Sequence, residues 1–281
     1  MMQPSSARLT PHEVAARLTP GQTIESLMLS LLPWAASFAD PPISGFVVGA
    51  IAFGGSGALY AGGNLEFAGM PLGASVHAEQ AAVTNAWFHG EHELTAIAVT
   101  ATPCGHCRQF LTELIDVHVP EPGGPAHLAI FVPGRPATTL ADLLPAAFGA
   151  RDLGIVGGLL AGSEVPLTAR IDADDVLGQA ALGAARASYA PYSRAYAGVA
   201  LQTAEGTTFT GRYAESAAYN PSLPGLQAAL VDLALRRTNR GSVTAAVMVE
   251  APARSSQRIA AEALLASIVS VPLRYVNAQR P

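Results

Sequence analysis

The pattern of hydrophobic and polar positions divides the first part of the chain into a helix and a strand hairpin. The apolar run Ile24–Leu32 predicts a buried amphipathic helix, which we expect Pro33 to end. Residues 46–53 form an apolar run typical of a buried strand, and Leu59–Ala61 is its predicted hairpin partner. Residues 62–67 are rich in Gly, so we expect them to leave the sheet as a loop.

The same alternation continues through the middle of the chain. It predicts a helix His77–Phe88, a strand Thr95–Thr100, a helix from Cys104 to about Ile115, a strand Leu128–Val132 and a short helix Leu140–Ala146. Before these elements, residues 1–40 are predicted to be largely helical, with Thr10 and Glu13 in the positions of a capping box. Strands that alternate with helices favour a layered α/β fold.

The second half of the chain repeats the first. The shared spacing is 191 − 42 = 149, and the pairs are Pro42 and Pro191, Gly49 and Gly198, Gly57 and Gly206, Gly62 and Gly211, and Glu66 and Glu215. After a slip of two residues, Pro224 stands at the position of His77, and Leu226 stands at that of Glu79. We therefore expect the same fold in both halves of the chain, whereas the His and Glu side chains of these two positions occur in the first half alone.

This repeat predicts the domain organisation. We expect a helical segment over residues 1–40, a first α/β domain over 41–150 and a second over 151–281, which includes an Ala-rich helix within 172–187. A copy without reactive side chains is expected to pack, to close a pocket and to help form an interface. On this hypothesis, residues 1–165 alone would lose solubility or activity.

Composition narrows the class of protein. Half of the 281 residues are hydrophobic, which is enough for a sizeable core, and the net charge of 16 − 21 = −5 gives no attraction for a polyanion. A nucleic-acid partner is therefore disfavoured. The apolar stretch Ile24–Phe38 contains Glu25 and Pro33 and is too short for a membrane span, so no membrane attachment is expected. Two cysteines form no disulfide framework, which favours a reducing, cytoplasmic setting.

One group of residues carries recognisable chemistry. Cys104 and Cys107 are three positions apart and so share one face of a helical turn, and His77 offers a third donor. Three such ligands leave the fourth position of a zinc ion open for water. The order H-x-E, then P-C-x-x-C, is the signature of zinc deaminases, in which Glu79 moves protons between water and substrate. We expect one zinc per chain, with His106 pointing elsewhere.

Other interpretations of this group stay open at this point. A C-x-x-C pair alone also suits a redox dithiol, although the accompanying H-x-E would then be a coincidence. A structural zinc site needs a fourth Cys or His, and a zinc-binding regulatory protein would bind the metal without turnover. Metal titration with and without turnover separates these classes.

The Gly-rich loop and the residues before the first strand add weaker candidates. Asn64 and Glu66 can bind sugar hydroxyls, or they can be ordinary polar loop residues. Phe46 at the start of the first strand is more often a core residue than a platform for a base.

These motifs resemble the cytidine deaminase family, in particular its long, homodimeric bacterial type. The resemblance rests on residues 44–50, Gly63-Asn64-Leu65-Glu66-Phe67, Val76-His77-Ala78-Glu79-Gln80, residues 102–110, and the stretch from Tyr213-Ala214-Glu215 to Asn220-Pro221. His77 supports the dimeric type, because the short tetrameric type usually has Cys there. The region Pro122–Pro125 departs from the family pattern.

The resemblance implies a function and further site residues. It implies zinc-dependent hydrolytic deamination of cytidine and 2′-deoxycytidine, with Asn64, Leu65 and Glu66 at the sugar and Phe46 beside the base. It also implies a homodimer in which Phe148 and Ala218 of the partner subunit complete the pocket. A deaminase for a free base would not need Asn64 and Glu66, and one for a polynucleotide would show a basic groove.

Overall fold

The computed structural model describes residues 6–114, 128–162 and 164–280. Contacts divide the chain into two compact units. The first unit contains the residues up to Leu65, together with Val76–Ala161 and Ser216–Pro221. The second contains Glu66–Ser75, Gly162–Glu215 and the residues from Ser222 onwards. Each unit thus includes a short segment from the other half of the sequence.

The first unit is built on a mixed sheet. Its elements are β1 (Arg8–Leu9), α1 (Pro11–Arg17), α2 (Ile24–Ala36), β2 (Gly49–Gly54), β3 (Leu59–Gly63), α3 (Ala78–Phe88), β4 (Leu94–Val99), α4 (Gly105–Leu111), β5 (Ala129–Phe131), β6 (Thr138–Thr139) and α5 (Leu140–Leu143). The strand order is β1-β3-β2-β4-β5-β6, with β4 and β5 parallel and the other described pairs antiparallel. Short 3₁₀ turns cover Thr112–Leu114 and Ala150–Leu153.

The second unit has the same kind of sheet. Its elements are β7 (Thr168–Ala169), α6 (Val176–Arg186), β8 (Ala197–Thr203), β9 (Thr208–Arg212), α7 (Gly225–Leu235), β10 (Val243–Glu250), α8 (Arg258–Ile268) and β11 (Leu273–Gln279), with 3₁₀ turns at Leu72–Ala74 and Arg240–Ser242. The strand order is β7-β11-β10-β8-β9, with β10 and β11 parallel. Its core includes Leu167, Leu182, Val247 and Val249.

Glycines fix helices on both faces of the first sheet. A Cβ at Gly62 would overlap the backbone of α3 at Ala82, and a Cβ at Gly63 would overlap the chain just after α2 at Phe38. Because consecutive strand residues face opposite sides, α2 and α3 lie on opposite faces of the sheet. The result is a three-layer α/β/α arrangement.

Several predicted elements are confirmed, and some boundaries are wrong. Thr10 and Glu13 form the capping box, and the β2–β3 hairpin, α3 and β4 lie where they were expected. However, α2 continues through Pro33 to Ala36. Proline removes one backbone donor, but Trp34 and the following residue are buried, so packing maintains the helix.

The start of the first strand was also predicted wrongly. β2 begins at Gly49, and Phe46 and Val47 are 61% and 50% exposed, so Phe46 is neither a strand nor a core residue. The loop geometry explains this difference, because Gly45 has a φ of 65° and turns the chain just before Phe46. At the other end of the hairpin, β3 includes the glycines at 62 and 63, which were expected in the loop.

Two predictions reach beyond the described residues, namely the end of the Cys104 helix at Ile115 and the Pro122–Pro125 region. Across the described residues, none of the helices combines the length and apolar character that crossing a bilayer requires.

Candidate metal and active site

His77, Cys104 and Cys107 meet at the starts of two helices. His77 is the N-cap of α3, and Cys104 is the N-cap of α4, with Cys107 one turn further on. The His77 Nδ1 lies 3.4 Å from the Sγ of Cys104 and 3.2 Å from that of Cys107. The two sulfurs are 3.7 Å apart. Among the described residues, these three side chains form the cluster that could hold a metal ion.

The spacing fits a tetrahedral zinc ion. Bond lengths of about 2.3 Å to sulfur and about 2.0–2.1 Å to nitrogen place two sulfurs about 3.8 Å apart and a sulfur and a nitrogen about 3.6 Å apart. The observed separations are 3.7, 3.4 and 3.2 Å. The sulfurs are too far apart for a disulfide, in which they lie about 2.05 Å apart. One imidazole and two thiols are the donors that zinc prefers.

The two thiols differ in their electrostatics. A hydrogen bond with Cys107 lowers the pKa of Cys104 to about 4, helped by N–H groups at the start of α4. The same contact and burial raise the pKa of Cys107. The ring of His106 stacks on His77 with 5.2 Å between centroids and lies outside the metal cluster. Burial and the neighbouring His77 lower the pKa of His106.

Glu79 lies in the first turn of α3 and is buried, with 4% of its surface exposed. Burial raises the pKa of its carboxyl group, and hydrogen bonds from its own backbone N–H and from Cys107 oppose that effect. Its contact with Cys107 brings it to the edge of the His77–Cys104–Cys107 cluster. A buried carboxylate beside a metal site can take up and return a proton.

Asn64 holds the segment that carries Phe46. Its Oδ1 accepts a hydrogen bond of 2.8 Å from the backbone of Val48, and its Nδ2 donates one of 2.9 Å to the carbonyl of Phe46. An amide group has a further donor and a further acceptor position, so these bonds leave capacity for a ligand. Leu65 is buried and pairs through its backbone with Val76.

Glu66 belongs to the second unit, where Arg240 supports the loop around it. The Arg240 Nη1 donates a hydrogen bond of 3.0 Å to the carbonyl of Glu66, and the guanidinium lies 5.4 Å from the ring centre of Phe67. Arg240 carried no signal in the sequence, because its partner is a backbone oxygen.

Phe148 and Ala218 are both exposed. The carbonyl of Phe148 accepts a hydrogen bond of 2.6 Å from Gln109. Ala218 lies in the segment Ser216–Pro221, which is part of the first unit, and its neighbour Tyr219 has a φ of 59°. The segment follows Glu215, the counterpart of Glu66.

One His and two Cys form a metal cluster in the first of two tandem α/β units, which is the arrangement of a zinc deaminase, and the comparisons with known proteins agree. Two family models, both described as the cytidine and deoxycytidylate deaminase zinc-binding region, match residues 22–120 and 140–262. A cytidine deaminase of Proteus mirabilis is 49% identical over 80% of this chain and 74% of its own length. One of Yersinia pestis is 47% identical over 87% of this chain and 80% of its own.

The chain belongs to the cytidine deaminase family. The predicted resemblance, the tandem α/β fold with mixed sheets and the zinc cofactor are thereby confirmed. Among solved structures, the cytidine deaminase from Mycobacterium tuberculosis is 33% identical and covers 46% of this chain and 99% of its own, with a TM-score of 0.39.

Proposed function

We propose that this protein is a zinc-dependent hydrolase that converts cytidine and 2′-deoxycytidine into uridine and 2′-deoxyuridine, with release of ammonia. The observation that carries the proposal is the cluster of His77, Cys104 and Cys107 with the buried carboxylate of Glu79 at its edge. The cytidine deaminases of Proteus mirabilis and Yersinia pestis, which resemble most of the chain, support it.

In this proposal, His77 Nδ1 and the thiolates of Cys104 and Cys107 hold one zinc ion. These residues would hold the ion where it could acidify a water molecule and so supply a nucleophile near neutral pH. Glu79 takes one proton from water and passes it to the ring nitrogen while the water oxygen bonds to the amino-bearing carbon. Glu79 then takes the remaining proton of the new hydroxyl group and delivers it to the amino group, so that the carbon–nitrogen bond breaks, ammonia leaves and the carbonyl of the uracil ring forms. One carboxylate thereby serves first as base and then as acid.

Recognition of the sugar is assigned to the loop between β3 and α3. We propose that Asn64 and Glu66 hydrogen-bond ribose hydroxyls, that Leu65 lies with them at the sugar, and that Phe46 lies beside the base. The exposed ring of Phe46 and the remaining hydrogen-bonding capacity of Asn64 support these roles. A site of this kind favours a nucleoside over free cytosine, since the free base leaves its polar groups unpaired.

We further propose a cytoplasmic homodimer. Large hydrophobic side chains are exposed among the described residues of the first unit, namely Ile43, Phe46, Val47, Phe148, Leu153, Val156 and Tyr219. Where such side chains adjoin one another, they mark interaction sites, which supports a dimer. In the dimer, Phe148 and Ala218 of one subunit complete the pocket of the other. The unpaired thiols support the location, because a reducing compartment keeps them available to the metal.

The domain organisation belongs to the same proposal. A mainly helical segment over residues 1–40, which also contributes the edge strand β1, precedes a catalytic domain, 41–150, and a deaminase-like domain without chemistry, 151–281, which helps to form the dimer interface. Light scattering on the purified protein tests this arrangement. A dimer of full-length chains is expected, whereas an active, zinc-loaded monomer of residues 1–165 would refute it.

The decisive test of the function is a turnover assay. Zinc-loaded protein is mixed with cytidine or 2′-deoxycytidine, and the change in ultraviolet absorbance is followed together with ammonia release. We expect stoichiometric uridine and ammonia from cytidine. Zinc binding without turnover of either nucleoside would refute the proposal and favour a zinc-binding regulatory protein.

A further inference from the structure

The segment Ser216–Pro221 is held at both ends by buried side chains of the first unit. The backbone N–H of Ala217 donates a hydrogen bond of 2.8 Å to Oε1 of Glu113. The carbonyl of Pro221 accepts one of 2.9 Å from Nε2 of Gln80. Gln80 and Glu113 are each only 1% exposed. Gln80 lies on α3, which begins after His77, and Glu113 lies on the turn that continues α4, the helix of Cys104 and Cys107.

Gln80 has a second partner in the metal cluster. Its Oε1 accepts a hydrogen bond of 3.2 Å from the backbone N–H of His77. The opposite orientation of the amide would place two acceptors together at Pro221 and two donors together at His77, so the hydrogen bonding fixes it. One buried amide therefore connects the backbone of a metal donor to the segment.

The tip of the segment projects from these anchors. Ala218 and Tyr219 are exposed, and Tyr219 holds a positive φ of 59° that non-glycine residues rarely adopt. Such a conformation persists where the surrounding structure imposes it. Hydrogen bonds within the tip, from Tyr219 N–H to Ser216 and from Asn220 N–H to Ala218, form the turn, and the hydrogen bonds to Gln80 and Glu113 hold it on either side.

We propose that Gln80 is a positioning residue for the deamination reaction, which joins the His77 end of α3 to the segment Ser216–Pro221 and so fixes Ala218 for the substrate pocket. The inference rests on the proposed function, in which Ala218 of one subunit completes the pocket of the other. Glu113 holds the other end of the segment. A segment from the second half of the sequence is thereby held by α3 and by the turn after α4, both of which belong to the half with the metal donors.

Gln80→Glu separates the two contacts of this side chain. Glutamate keeps an acceptor for the N–H of His77 but loses the donor to the carbonyl of Pro221. We expect the KM for cytidine to rise about tenfold, which corresponds to the roughly 1.4 kcal/mol of one hydrogen bond. Zinc content is expected to stay at the wild-type level, and kcat is expected to change less than about threefold.

Two further comparisons isolate the effect. Gln227 occupies the position of Gln80 in α7, since 224 − 77 = 227 − 80 = 147, so Gln227→Glu makes the same change there and is expected to leave KM unaltered. Glu113→Leu releases the other end of the segment without adding charge beside Glu79 and is expected to raise KM similarly. Glu113→Gln keeps an acceptor and is expected to restore a near-normal KM.

The outcomes decide between positioning and simple capping. Faster hydrogen exchange in residues 216–221 of Gln80→Glu, together with the raised KM, supports the proposal. An unchanged KM in both Gln80→Glu and Glu113→Leu overturns it, as does a loss of zinc and kcat without a change in KM. If the wild-type protein does not deaminate cytidine, the proposed function fails, and unchanged exchange in Gln80→Glu then overturns the inference separately.

Discussion

The helix that begins after His77 and the helix that begins after Pro224 occupy equivalent positions in the two halves of the chain, but their first turns differ in chemistry. In the first half, His77 Nδ1 faces two sulfurs at the start of α4. In the second, Gln257 is the N-cap of α8, and its Oε1 accepts a hydrogen bond of 3.0 Å from the N–H of Gly225 at the start of α7. A hydrogen bond from the backbone to a side-chain amide thus joins the starts of α7 and α8, whereas metal donors meet at the starts of α3 and α4 in the first half.

The close packing of helix against sheet, in contrast to the chemistry, is the same in the two halves. A Cβ at Gly49 would overlap the backbone of Ala36 in α2, and a Cβ at Gly198 would overlap that of Ala185 in α6. The offset is 149 in both cases, 198 − 49 and 185 − 36. Close helix–sheet contact therefore constrains these glycines, whereas donors and catalyst are free to change without loss of the fold.

The largest expected effect comes from removing a metal donor. Cys107→Ser replaces a buried thiol of the cluster, and we expect zinc to fall from about one per chain to almost none. One proton-transfer residue contributes about 10²–10⁴-fold to the rate, and turnover should fall by more than that when the metal is lost. Elemental analysis and the cytidine assay measure both quantities.

Gln257→Leu is the matched control for zinc content, because Gln257 is the N-cap of α8 as Cys104 is of α4, and it is expected to keep about one ion per chain. Two tightly bound zinc ions in the wild-type chain would refute the view that the second half has lost its metal. Zinc retained in Cys107→Ser would place the ligands elsewhere.

The next effect concerns the catalyst. Glu79→Gln keeps the shape of the side chain but cannot accept a proton, so we expect zinc to remain and kcat to fall by about 10²–10⁴-fold. Leu226→Met changes the equivalent buried position in α7 with little change in volume and is expected to leave kcat within about twofold. A near-normal kcat in Glu79→Gln would exclude Glu79 as the proton shuttle.

The candidate site could be predicted from the sequence where residue identity carries the chemistry. The donor atoms of His77, Cys104 and Cys107 belong to their own side chains, and the order of these residues with Glu79 is distinctive. Gln80 and Glu113 could not be found in the same way. Their partners are backbone atoms 141 and 104 residues away, and a backbone atom leaves no trace in the sequence.

The elements of the fold also differ in whether the local sequence could predict them. Periodicity and turn residues located the hairpin and α3, because these features depend on local sequence. Apolar character alone did not reveal that Phe46 and Val47 are exposed, since an apolar run does not show which of its residues lie outside the sheet. Pro33 was expected to end α2, but the burial of Trp34 is a tertiary effect that overrides local preference.

A smaller effect distinguishes Glu66 from its counterpart Glu215. Glu215 is buried, and its Oε2 accepts hydrogen bonds of 2.8 and 3.0 Å from the N–H groups of Tyr192 and Ser193. We expect Glu66→Gln to lower kcat/KM for cytidine by about 10–100-fold, the loss of one charged hydrogen bond in the pocket. Steady-state kinetics with cytidine and free cytosine measures the change.

Glu215→Gln provides the contrast. It should leave kcat/KM within about twofold and lower the free energy of unfolding by about 1 kcal/mol, as measured by urea denaturation, because a charged acceptor becomes neutral. Equal kinetic effects of the two substitutions, or none for Glu66→Gln, would contradict the assignment of Glu66 to the sugar.

The smallest expected effect concerns the side-chain amide of Gln257, the N-cap of α8. Gln257→Leu removes the acceptor for the N–H of Gly225, at a cost of about 1 kcal/mol, so exchange of that amide should quicken about fivefold.

A chelator removes the zinc and should loosen the start of α3 but leave the start of α7 unchanged, since α7 has a proline and a leucine where α3 has His77 and Glu79. Hydrogen exchange of both helices, with and without chelator, measures the two responses together. If the chelator loosened α7 as much as α3, the two helix starts would not be stabilised independently, and the contrast between metal and amide would have to be abandoned.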